Sequence, residues 1–95
     1  MYSVATIAVM DRFFVALESC RAHKILKVCD YCDDNGILAC NLYRQRKDRT
    51  RGYFEIGWCV PLVEKYGISA LWLLTGLGAM YSPKGREEYD SPLPV

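Results

Sequence analysis

Neither glycine nor proline occurs before Gly36. A run of that length without a helix breaker places apolar residues at Ile7, Phe13, Phe14, Ala16 and Leu17, a helical rather than an alternating spacing. It predicts a first helix over Met10 to Arg21, with residues 1–9 either extending it or packing as an arm. Ile25, Val28, Tyr31 and Cys32 then form the stripe of a second short helix. Asn35 and Gly36 stop it, because glycine takes the left-handed conformation at low cost.

Breakers are frequent after Gly36. A third helix is expected over Ala39 to Asp48, anchored by Leu42, followed by a charged connection to Gly52. A fourth is expected over Glu55 to Tyr66, with Ile56, Cys59, Val60, Leu62 and Val63 inward. Pro61 is tolerated only in a first turn, so this helix either starts near Trp58 to Val60 or is kinked. Gly67 stops it, Ser69 caps a fifth helix through Leu74, and Gly76 and Gly78 close that one. Three of the four prolines fall in residues 82–95 with Glu87, Glu88 and Asp90, which predicts a disordered tail. The expectation is an all-α fold: residues 1–10 as arm or helix extension, 11–81 as a five-helix domain, 82–95 as tail.

With 95 residues, 52% hydrophobic and 24% charged, the chain is one ordinary globular domain. A domain of this size buries roughly 60% of its unfolded surface, which leaves little to wall a deep catalytic cleft. The single histidine, His23, has no nucleophile at a fixed spacing, so no enzyme and no small-molecule substrate are expected. The apolar N-terminus lacks a positive leader, and Gly67, Thr75, Gly76, Gly78 and Pro83 break up the 18 uncharged residues between Lys65 and Lys84. A cytoplasmic protein without a membrane span is expected.

Five cysteines and no secretion signal favour reduced thiols. Cys29 and Cys32 form a C-x-x-C, but zinc needs four ligands, and Cys20, His23 and Cys40 stand at spacings that match no common zinc module. No metal and no cofactor are expected. Asp30, Asp33 and Asp34 lack the glycine-centred acidic loop of a calcium site and read as a solvated face.

Charge is more informative in its distribution than in its total of +1. Residues 41–52 carry Arg44, Arg46, Lys47, Arg49 and Arg51 against Asp48 alone, while residues 28–40 hold three aspartates and no cation. A short basic block in a neutral chain is the pattern of a phosphate-contacting surface, or equally of a solvated loop. The block ends a segment, Lys27 to Lys47, that reads as helix, glycine-centred turn and helix. Cys32 is the small residue for the crossing, Gly36 the turn glycine, Ile37 and Leu42 the apolar anchors. Asn35 and Gln45 stand where packed apolar residues are usual, and Leu38 where a capping Ser, Thr or Asn is usual.

Further on, Tyr66 to Met80 contains Gly67-Ile68-Ser69-Ala70-Leu71-Trp72-Leu73-Leu74-Thr75-Gly76-Leu77-Gly78. This stretch resembles the "G-[IV]-S-x-x-W-L-L-x-G-x-G" phrase that commonly closes phage repressor-type, or lambda-repressor-like, helix-turn-helix domains. Asn41-Leu42-Tyr43-Arg44 resembles the start of a recognition helix in small regulators of that kind, and the resemblance covers roughly Asp11 to Met80. It implies a five-helix lambda-repressor-like fold and a repressor-like transcriptional regulator of a bacterium, phage or mobile element, binding double-stranded DNA as a homodimer. The third helix would then lie in the major groove. Its outward positions would be Ala39, Cys40, Tyr43, Arg44 and Lys47. Arg44 would read guanine edges, Tyr43 would touch a base or a phosphate, and Ala39 and Cys40 would make apolar contact. Arg46, Lys47, Arg49 and Arg51 would hold phosphates.

The family often carries polar residues where Leu38, Ala39 and Cys40 stand. That departure keeps a second reading open, in which the same scaffold is a protein-interaction module. Trp72, Leu73 and Leu74 are expected to fill the core against Phe13, Leu17, Leu42 and Val63. A dimer is expected to use residues 2–9 or the surface around Leu71 and Leu77.

Overall fold

A computed structural model describes residues 2–82, and of the expected disordered tail, residues 82–95, all but Ser82 lies outside them. Helices α1 (Val4–Ala22), α2 (Val28–Asp34), α3 (Ala39–Lys47), α4 (Val60–Tyr66) and α5 (Ala70–Thr75) account for the regular structure, with one 3-10 turn at Ile56–Trp58. Among the described residues there is no strand, only an isolated antiparallel bridge between Ile68 and Tyr81. The fold is mostly helical.

The α1 helix starts six residues before the expected Met10, which settles the choice between arm and extension. The Ser3 side chain accepts the Thr6 N–H and caps the new start, satisfying one of the orphan donors of a first turn. Met10, Phe13, Phe14, Ala16, Leu17 and Cys20 make the buried stripe. At the other end the chain leaves through paired bonds, Lys24 N–H to the Arg21 carbonyl (3.0 Å) and Ile25 N–H to that of Cys20 (2.8 Å). This exit turns Leu26 inward and Ile25 outward. The expected second stripe therefore starts three residues late, at Val28.

Pro61 decides where α4 begins. It occupies the first turn, where its missing N–H costs nothing, so the helix starts at Val60 and not at Glu55. Ile56 and Val60, expected inward, are exposed, whereas Cys59 and Leu62 are buried and Val63 is partly so. At α5 the Ser69 hydroxyl accepts the Trp72 N–H (3.3 Å) and Gly76 closes the helix in the left-handed region. Of the three residues expected to fill the core here, Leu73 is buried, Trp72 partly buried, and Leu74 is 53% exposed. At 100° per residue Trp72 and Leu74 flank Leu73 on opposite sides, and Trp72 packs against the core while Leu74 is turned to solvent.

The core joins Phe13 and Leu17 of α1, Tyr31 and Cys32 of α2, Leu42 of α3, Trp58, Leu62, Ile68 and Leu73. Each such fully buried large side chain stabilises the fold by roughly 1.5–3 kcal/mol. Phe13, Phe54 and Trp58 meet in edge-on and tilted pairs with centroids 5.6–6.1 Å apart. The buried Tyr31 hydroxyl donates to the Trp58 carbonyl, and burial raises its pKa. Arg12 reaches across from α1 to the open end of α5, donating to the carbonyls of Leu73 (2.8 Å) and Leu74 (3.0 Å). Ser19 and Tyr81 share a hydrogen bond of 2.8 Å that ties the closing segment to α1.

Candidate nucleic-acid interface

Residues 35–38 connect α2 to α3. Gly36 adopts φ +66° there, and the Ile37 N–H reaches back to the Cys32 carbonyl (2.9 Å). Cys32, Ile37 and Leu42 are all buried at the crossing, as the residue types predict. Leu38 caps α3 by position but offers no side-chain acceptor. The last turn compensates in part, since Arg44, Arg46 and Lys47 sit where a helix favours cations.

Gln45 is the unexpected part of this helix. It is completely buried, and its amide donates to the Arg49 carbonyl (3.0 Å) and to the Met10 sulfur (3.3 Å) while accepting the Tyr53 N–H (2.9 Å). A leucine would fill the same space and orphan two backbone groups. Together Leu42 and Gln45 fix the inner face of α3. At 3.6 residues per turn the opposite face is then Cys40 and Lys47, flanked by Tyr43 and Arg44.

That outward face is open. Ala39, Cys40, Arg44, Arg46 and Lys47 are exposed, and Tyr43 is 44% exposed. The Arg46 guanidinium lies over the Tyr43 ring, 5.0 Å from its centroid, which orients both side chains. Arg46 also contributes to lowering the pKa of Glu18, after the Arg21 hydrogen bonds that are the main cause. Arg51 is exposed and pairs with Asp48 at 3.7 Å.

Arg49 is placed differently. Its guanidinium turns back onto α1, paired with Asp11 at 2.6 Å and stacked over Phe14 at 4.6 Å, with only 29% of the side chain exposed. It also donates to the carbonyls of Gln45 and Arg46. The structure thus gathers Ala39, Cys40, Tyr43, Arg44, Arg46 and Lys47 on one helix, leaves Arg51 beside its end, and uses Arg49 to hold α3 against α1. Tyr43 further forms one wall of a groove lined by Arg21, Lys24 and Lys27. These three cations are distant from the basic block in sequence, and only the fold brings them beside α3.

In the C-x-x-C, Cys29 is exposed and Cys32 buried. Among the described residues no three His, Cys, Asp or Glu side chains come together as metal ligands. Ser19 and His23 approach to 3.5 Å, but the His23 Nδ1 lies 2.8 Å from the Ser19 carbonyl oxygen. That nitrogen donates to the carbonyl and is not free to act as a base for the hydroxyl. Among the described residues no helix is long and apolar enough to cross a membrane.

Comparison with known protein families, with curated proteins and with solved structures returns no match to this chain.

Proposed function

We propose that this protein is a repressor-like transcriptional regulator that binds double-stranded DNA by laying α3 in the major groove, on a lambda-repressor-like arrangement of its five helices. The observation that carries the reading is α3 itself. It follows α2 across a four-residue glycine turn and presents Tyr43, Arg44 and Lys47 on one exposed face beside Arg46. A B-form major groove has the width of one such helix. Arg44 reads guanine through its two-pronged guanidinium, and Tyr43, steadied by Arg46, contacts a base or a phosphate. Arg46, Lys47 and Arg51 hold phosphates and set the register. Arg49 acts inward, keeping α3 at its angle to α1. Symmetric half-sites about 34 Å apart call for a dimer, for which the exposed apolar residues Leu71, Leu74 and Leu77 are available.

Exposed Leu38, beside Ala39 and Cys40, favours the second reading, in which α3 meets a protein partner through apolar contact. Salt separates the two readings. Affinity for a duplex carried by several phosphates falls steeply as salt rises, and an apolar protein interface does not behave so. The test measures binding of the purified protein to random-sequence duplex DNA at low and moderate salt, beside the Arg44→Ala, Lys47→Ala double variant. We expect salt-sensitive binding by the parent, weakened at least tenfold in the variant. Absence of binding at low salt overturns the DNA reading.

A further inference from the structure

Among the described residues only one that is not glycine has a positive φ: Lys24, at +59°. It occupies the position after the α1 cap, where the two return bonds to Arg21 and Cys20 force the left-handed conformation. Glycine or asparagine is the usual occupant there, because a longer L side chain is strained. Strain of this kind persists where the surrounding structure requires it, and it gathers at functional sites.

The surroundings of Lys24 supply the second observation. With Arg21 and Lys27 it lines an open groove of about 580 Å³ whose lining also includes Leu26, Val28, Cys29 and Tyr43. Arg21 is engaged by Glu18 (2.6 Å), whereas among the described residues neither Lys24 nor Lys27 lies within ion-pair distance of a carboxylate. Among the described residues the groove thus holds two lysines without a carboxylate partner beside a paired arginine, and it shares Tyr43 with the outward face of α3.

We propose that this groove is a second phosphate-binding site, taking the sugar-phosphate strand that runs alongside α3 when α3 lies in the major groove. The proposal rests on the DNA reading and extends it to a part of the chain outside the basic block. A duplex seated on Tyr43 brings one backbone strand over Lys24 and Lys27, whose ammonium groups replace its counterions. The strained position holds a lysine because glycine, which suits the backbone better, carries no charge.

Three substitutions at Lys24 separate charge from conformation. Lys24→Asn and Lys24→Gly both accept the left-handed backbone and lose the charge, whereas Lys24→Arg keeps the charge and the strain. Lys24→Gly is expected to melt at the same temperature as the parent or higher. Both neutral variants are expected to bind duplex DNA several-fold more weakly at moderate salt, with the slope of log affinity against log salt shallower by about 0.9, one phosphate contact. Lys24→Arg should bind like the parent, and combining Lys24→Asn with Lys27→Gln should flatten the slope further. Unchanged affinity and slope in the neutral variants, with salt-sensitive binding by the parent, overturns this proposal and leaves the α3 reading intact. No binding by the parent overturns both.

Discussion

At position 45 an amide is buried where helices of this plan usually carry an apolar side chain, and the reason lies in the chain that follows. The segment after α3 turns back past the helix, so the Arg49 carbonyl and the Tyr53 N–H need partners, and Gln45 supplies both. A buried backbone group left without a partner costs about 1–3 kcal/mol. Gln45→Leu keeps volume and removes both partners, so it is expected to lower stability by about 2–3 kcal/mol, read as a shift in the urea midpoint with an unchanged slope. A loss under about 0.5 kcal/mol would mean the two groups find other partners. Arg49 belongs with Gln45. Its ion pair with Asp11 and its position over Phe14 make it part of the fold before it is part of any surface.

Among the elements, α3 carries the proposed function and, like α2 and α4, starts without a side-chain cap. Its cap position is Leu38, with no side-chain acceptor for the free N–H groups of the first turn. Leu38→Ser supplies that acceptor and removes an exposed apolar side chain, so it is expected to stabilise the protein by about 1 kcal/mol, measured by urea denaturation. If stability falls instead, Leu38 packs against something that its exposure does not reveal. How much was legible in the sequence follows the same physics. The α2–turn–α3 unit was readable because Cys32, Gly36, Ile37 and Leu42 each meet a local requirement, and the start of α5 because Ser69 is a strong cap. The Val4 start of α1 and the Val60 start of α4 depended on which of two allowed solutions the tertiary structure takes. Ile56, Val60 and Leu74 were misplaced because short helices bury few positions per turn, and periodicity alone does not say which. The neighbours of Tyr43 were invisible, since Arg21, Lys24 and Lys27 reach it only through the packing of α1 and α2 on α3.

At the scale of the whole molecule the fold sorts its cysteines into two groups. Cys20, Cys32 and Cys59 are buried, and burial raises their thiol pKa values, that of Cys59 to about 12. Thiolates are the reactive species, so these three are inert in the native protein at neutral pH. Cys29 and Cys40 are exposed, and Cys40 lies at the centre of the α3 face proposed to enter the groove. Cys40 is thus a reporter at the proposed contact, distinct from any measure of overall affinity. The most direct measurement is the alkylation rate of Cys40, followed by mass spectrometry, with and without saturating duplex DNA at low salt. With α3 in the groove, DNA slows labelling of Cys40 at least tenfold while the three buried thiols stay unlabelled in both states. Labelling of Cys40 at the same rate on DNA-bound protein would show that α3 does not face the duplex, and would overturn groove binding through this helix.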